Sequence, residues 1–368
     1  MYSRRSILKG LPLTALAGAS AARAVALRPS IVEDGREGLR VLAARRGLVY
    51  GTSASTFQLR DGAFAPVLAR EAGILVPEYE MKRGVIEPSR GTYNFSGCDA
   101  LVKFAGANAM LVRGHPLVWH KRNPGWLEEA VLDWRDSGLL TGYIAAVVGH
   151  FRGHIRSWDV VNEAIAPGDG RSDGLRETFW LEAFGPVYID DAYHAARAAD
   201  PDALLVYNDW GCEAGAPEND RFRAATLSFL EGARARGVPI QALGLQGHLA
   251  AFGTQVDQKK LARFLSEVES LGLRILVTEL DVDDTGGPSR MDERDRAVAD
   301  ATRRFLDVML TSRATTAVLT WGLSDRFLDP PNWRQRLTGY TPRMLPLGSD
   351  LNRTAMWRAL ANSFEQAA

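Results

Sequence analysis

Two kinds of apolar pattern alternate along the chain. Short runs rich in Val, Leu and Ile recur at residues 48–53, 74–78, 109–115, 157–162, 204–208, 243–246, 275–279 and 317–321. Most are apolar throughout, as expected of strands buried on both faces. Between them lie amphipathic or Ala/Arg/Glu-rich stretches, such as 191–199, 219–236, 258–271 and 293–310, which predict helices. Eight strands alternating with helices predict an α/β fold closed as a TIM (β/α)8 barrel. A doubly wound open sheet is the alternative. The glycine fingerprint of that fold is absent, because Gly51-Thr52-Ser53-Ala54 has the wrong spacing. No Pro/Ser/Gly linker interrupts Arg45 to Phe364, so residues 45–368 read as a single domain. The proline-punctuated stretch from Pro330 through Trp333 to Pro346 reads as a long loop after the eighth strand.

Polar residues gather at the predicted strand ends. Strand two ends in Glu78-Tyr79-Glu80-Met81-Lys82, and strand three in His115-Pro116-Leu117-Val118-Trp119-His120. Asn162-Glu163, Asn208-Asp209, Gln246-Gly247-His248, Glu279-Leu280-Asp281 and Trp321 end the next five. In a closed barrel these ends surround one cleft. A core explanation would require a partner for each buried polar group. The runs ending at Glu163 and Glu279 each deliver a carboxylate from a buried strand. Two such carboxylates suggest an acid/base and a nucleophile that cleave a glycosidic bond, ~5–5.5 Å apart if configuration is retained. Either Glu alone would read equally well as a salt-bridge partner.

Charge and composition narrow the class. Lys plus Arg and Asp plus Glu number 44 each, so nothing suggests nucleic acid or an anionic membrane as partner. Nine tryptophans suit either sugar stacking or an ordinary core. Ser3-Arg4-Arg5-Ser6-Ile7-Leu8-Lys9 precedes an apolar stretch from Leu11 to Ala22, and Ala22 and Ala24 frame a cleavage site. This layout predicts a twin-arginine type signal over residues 1–24, hence export to the periplasm or medium. The alternative, a membrane anchor, needs ~20 apolar residues. Residues 25–44 read as an N-terminal segment outside the barrel. Cys98 and Cys212 read as two separate buried thiols, although an exported chain could pair them. His150 and His154 have helical spacing, but Phe151 follows the first histidine where a zinc-protease motif would have glutamate.

Six strings, in order, resemble glycoside hydrolase family 10, the β-1,4-xylanases, over roughly Val49 to Leu347. They are Met81-Lys82 with the segment from Glu87 to Phe95, Gly114 to His120, Trp158 to Glu163, Gln246 to His248, Thr278 to Asp281, and Trp321-Gly322. The resemblance implies retaining hydrolysis of internal β-1,4-xylosidic bonds in xylan or xylo-oligosaccharides, by a monomer without cofactor or metal. It implies Glu163 as acid/base and Glu279 as nucleophile. Asn162 would bond the sugar 2-hydroxyl, and His248, backed by Asp281, would hold the nucleophile. Gln246, His115, Trp119 and Lys82 would line the non-reducing side, with Glu78 one sugar further out and Trp321 as an aromatic roof. Asn208 is a further candidate at the sugar surface.

Three positions depart from the family pattern. Tyr79 stands where asparagine is usual, and Arg122 where glutamine is usual. The second roof tryptophan is missing at Asp329, with Trp333 four residues late. These changes leave open a retaining β-glycosidase acting on another glycan or a short oligosaccharide. A non-catalytic glycan-binding protein is the alternative of another class, although such a protein has no need of a nucleophile.

Overall fold

The computed structural model describes residues 37–253, 255–328 and 339–366. Nine strands lie among them: β1 (Val49–Ala54), β2 (Ile74–Pro77), β3 (Leu111–Gly114), β4 (Ser157–Asn162), β5 (Leu204–Asp209), β6 (Ala242–Leu245), β7 (His248–Ala250), β8 (Arg274–Asp283) and β9 (Thr315–Thr320). All pair in parallel. Consecutive pairs run from β1 to β6, β6 pairs with β8, β8 with β9, and β9 with β1. Eight strands therefore close a barrel, with helices between them, as the alternation predicts. The ninth strand, β7, pairs with the end of β8 above the rim and sets His248 opposite Asp281.

The barrel interior has its own apolar plug. Ile74, Val76, Val206, Ala242, Leu276, Ala317 and Leu319 form a cluster separate from the larger core between strands and helices. The period of two along each strand explains what lies above it. Two residues past Val206 comes Asn208, and two past Leu276 comes Thr278. The interior thus turns polar toward the C-terminal ends. Pairing is irregular at two places. The β4–β5 register shifts between Asp159 and Val161, and the β8–β9 register between Val277 and Leu280. Bulges re-aim side chains next to active sites, and these two immediately precede or flank Glu163 and Glu279.

The barrel begins earlier than the sequence pattern suggests. The helix Leu39–Arg45, placed by sequence within the N-terminal segment, buries Leu39, Leu42 and Ala43 in the main core. Its amphipathic run is too short to stand out from the polar residues before it. Glu71 fastens this helix to the last one, Ala355–Glu365. Its fully buried carboxylate accepts from the Leu39 amide at 2.8 Å and from Trp357 Nε1 at 2.9 Å. The expected residues 1–24 and Trp333 lie outside the described residues. Among the described residues no helix is long and apolar enough to cross a membrane. Glu71→Ala should lower unfolding free energy by about 2–4 kcal/mol, because it strands two buried donors and nearby arginines. Denaturant titration checks this, and a loss below about 0.5 kcal/mol, the range of neutral surface changes, would contradict the clasp.

Candidate active site

A buried polar layer lies between the apolar plug and the cleft. Arg113 on β3, Asp159 on β4, Asn208 on β5 and Thr278 on β8 are each at most 1 % exposed. Charges so deep must be paired. Arg113 pairs with Asp159, donating from Nε at 3.1 Å and also from Nη2. The other Asp159 oxygen bonds His115 Nδ1 at 2.8 Å. Asn208 Oδ1 accepts from Thr278 Oγ1 at 2.7 Å and from Arg113 at 3.3 Å. Its amide nitrogen then donates upward to Glu279 Oε1 at 2.7 Å and to Asn162 Oδ1 at 2.8 Å. Gly244 on the neighbouring strand makes room, since a Cβ there would lie 2.4 Å from Asn208 Oδ1.

Glu163 follows the β4 bulge in a left-handed backbone conformation, φ +57°. Such a conformation persists only where its surroundings hold it. The Glu163 amide donates to the Asn208 carbonyl at 2.9 Å, and Arg176 Nε donates to the Glu163 carbonyl at 2.7 Å. On the side chain, Oε1 accepts from Asn162 and from Gln246, each at 3.3 Å. Oε2 is buried without a hydrogen-bond partner among the described residues, although the Lys121 ammonium lies 3.7 Å away. One oxygen is fixed and the other is free for a ligand.

Glu279 is treated differently. His248 Nε2 contacts its Oε2 at 3.3 Å, while His248 Nδ1 contacts Asp281 Oδ1 at 3.1 Å. Burial would favour the neutral acid. The hydrogen bond from His248 and the fields of His115, His248 and Arg113 outweigh burial and hold the carboxyl at about 2. Desolvation pulls His248 the other way, but Asp281 and Glu279 raise it well above the usual histidine range. The imidazolium with two N–H donors matches a ring that faces a carboxylate at each nitrogen. The nucleophile candidate is thus ionised across the neutral pH range.

The cleft continues to both sides of the carboxylates. One part, of about 520 Å³, is lined by both glutamates and by Glu78, Tyr79, Lys82, His115, Trp119, Arg122 and Trp321. The other, of about 570 Å³, holds Glu163 but not Glu279, with Lys121, Trp210, Glu213 and Phe222. Gln246 and His248 border both. Lys82 sits between two rings, its Nζ 5.3 Å from the centroids of both Trp119 and Trp321.

The structure therefore gathers Glu78, Lys82, His115, Trp119, Asn162, Glu163, Gln246, His248, Glu279, Asp281 and Trp321 around one cleft. Tyr79 faces it, 54 % exposed, rather than packing beneath its loop. Asn208 is a correction. It is fully buried under the sugar surface, and both ends of its amide are taken by protein groups, so it links Glu279 to Asn162 instead of binding substrate. Cys98 and Cys212 are free, buried thiols. Among the described residues no group of three His, Cys, Asp or Glu is placed to hold a metal ion.

Several site residues escape the strand-end reading. Arg113 and Asp159 sit inside apolar runs, and a charge in a buried strand is itself a signal. Glu213 braces two loops, accepting from Gly211 at 2.8 Å and Gly247 at 3.0 Å. Asp209, pushed up to about 7 by burial, accepts from the amides of Ile165 and Trp210 beneath the Glu163 loop. Asp209 stands at a predicted strand end but its bracing role has no local signal, and no local pattern marks Glu213.

The family model described as glycosyl hydrolase family 10 matches residues 38–363. The endo-1,4-beta-xylanase B of Thermotoga neapolitana is 36% identical over 297 residues, which cover 78% of this chain and 82% of that protein. The crystal structure of native xylanase 10B from Thermotoga maritima superposes with a TM-score of 0.78 at 31% identity, covering 89% of this chain and 98% of the other. Xylanase 10B from Thermotoga petrophila, solved in complex with xylobiose, gives the same TM-score and identity over 90% and 98% of the two chains. With the barrel, the paired glutamates and a family match over nearly all the described residues, the chain belongs to glycosyl hydrolase family 10.

Proposed function

We propose that this chain is an endo-1,4-β-xylanase that cleaves internal bonds of xylan or xylo-oligosaccharides with retention. The observation that carries the reading is the unequal treatment of two carboxylates in one cleft. Glu279 is clamped and ionised by His248, while Glu163 keeps one oxygen free. Glu279 attacks the anomeric carbon as Glu163 gives its proton to the glycosidic oxygen, and the leaving sugar departs. A glycosyl ester on Glu279 results. Glu163, now a carboxylate, takes a proton from water, and that water displaces Glu279. Asn208 and Asn162 tie the two groups together, so each acts from a fixed position. A cleft open on both sides of the pair suits attack within a chain rather than at its end.

Relatives named xylanases support xylan as the substrate. A short oligosaccharide or another glycan is the second reading, favoured by Tyr79 in the cleft where the family pattern has asparagine. Reducing-sugar release from xylan, with product lengths resolved, separates the two. A range of oligomers supports the endo-xylanase, and activity confined to short oligomers supports the alternative.

The protein works, on this reading, as an exported monomer. Glu279→Gln should abolish detectable turnover of xylan while leaving sugar binding. Glu163→Ala should spare the first step for substrates with good leaving groups, which need little acid assistance. Steady-state kinetics on xylan and on an activated aryl xyloside check both, and wild-type activity on xylan in either variant would remove that residue from its role.

His248→Asn should move the acid limb of kcat/KM to higher pH. Removing the cation raises the proton affinity of Glu279, so a smaller fraction is ionised in acid. A pH–rate profile checks the direction, and an unmoved acid limb would show that His248 does not hold the nucleophile ionised.

Export should depend on Arg4 and Arg5. Replacing both with lysine should leave the precursor in the cytoplasm, read by cell fractionation. Normal secretion of that variant would eliminate the twin-arginine reading.

A further inference from the structure

Arg122 is the one cation of the cleft half containing Glu279 that is both exposed and without a counter-ion among the described residues. That half receives the sugar attacked by Glu279, because the other half holds Glu163 without Glu279. Its acids are already engaged. Glu78 accepts from Gln58 at 3.1 Å and Ser55 at 3.3 Å. Glu279 and Asp281 share His248, and Glu163 has Lys121 nearby. Lys82 is 8 % exposed and enclosed between Trp119 and Trp321. Among the described residues the Arg122 guanidinium makes no side-chain hydrogen bond, and it lines the cleft wall.

Its backbone is braced for that position. Arg122 holds φ +57°, a conformation uncommon for a residue with a side chain. The Gly84 amide donates to the Arg122 carbonyl at 2.9 Å, and a Cβ on Gly84 would lie 2.9 Å from that same oxygen. Only a glycine lets the two segments meet so closely. Asn123 and Trp180 both donate to the Trp119 carbonyl, at 2.9 and 3.1 Å, fixing the other end of the turn.

A planar guanidinium with five donors matches a carboxylate better than a neutral hydroxyl. The xylan backbone carries no charge, so an acidic partner must be a substituent on it. We infer that Arg122 forms a carboxylate-binding subsite on the glycone side, which favours xylan carrying uronic-acid substituents over the unsubstituted polymer. This rests on the xylanase reading above.

The test compares a neutral xylo-oligosaccharide with the same oligosaccharide bearing one glucuronic acid substituent. Wild type, Arg122→Gln and Arg122→Lys are assayed at low and high salt, and product masses locate the substituent. The acidic-to-neutral ratio of kcat/KM should fall about fivefold in Arg122→Gln, the most expected of an exposed ion pair. Lysine should restore part of it, and salt should shrink it in wild type. The substituted sugar should appear in the product that gains the new reducing end. Equal losses on both substrates in Arg122→Gln would overturn the inference by making Arg122 a ligand of sugar hydroxyls. A substituent found only on the leaving fragment would also overturn it. Wild type inactive on the neutral oligosaccharide would instead overturn the xylanase reading.

Discussion

The site is built on a charge that the barrel must neutralise within itself. Arg113 lies in the interior with 1 % exposure. A lone guanidinium there would cost several kcal/mol in desolvation. Asp159 cancels it, Asn208 accepts a further bond from Arg113, and His115 bonds the second Asp159 oxygen. These partners come from β3, β4 and β5, and Thr278 adds β8. The layer fixes the mutual positions of the very strands that carry Glu163 and Glu279. Its upward contacts, from Asn208 to Asn162 and Glu279, carry that order into the cleft.

Strand irregularity does the rest. A regular strand sends alternate side chains to opposite faces, so Asp159 and Asn162 could not both face inward on an unbroken β4. The register shift between Asp159 and Val161 allows Asp159 to pair below while Asn162 meets Asn208 above. Glu163 then turns into the cleft in its left-handed conformation. On the far side, β8 runs past the rim to Asp283, long enough for β7 to pair with it and bring His248 to Asp281. The clamp on Glu279 is therefore a consequence of strand length as well as of residue identity.

Much of this is legible in the sequence. The apolar runs give the eight barrel strands, because parallel strands buried on both faces leave an unmixed hydrophobic signal. The polar residues at their ends give the cleft, because barrel closure brings those ends together whatever the loops do. The remainder depends on distances that no single segment encodes. Asn208 reads as a strand-end polar residue like its neighbours, yet the adjacent strand carries Gly244 beside it, and across that gap it meets Thr278. The helix Leu39–Arg45 packs in part against the last helix, over 300 residues away in sequence. Glu213 and Asp209 act by receiving backbone amides, and nothing in the surrounding sequence announces that.

The central claim is that a clamped, ionised Glu279 attacks the sugar directly. Proton NMR of a xylo-oligosaccharide digest, followed from the first turnovers, reads the anomer as it forms. Two successive displacements return the original configuration, so the β-anomer should appear first and the α-anomer only later, by mutarotation. If the α-anomer appears first, water attacks in a single displacement, and Glu279 is not a nucleophile.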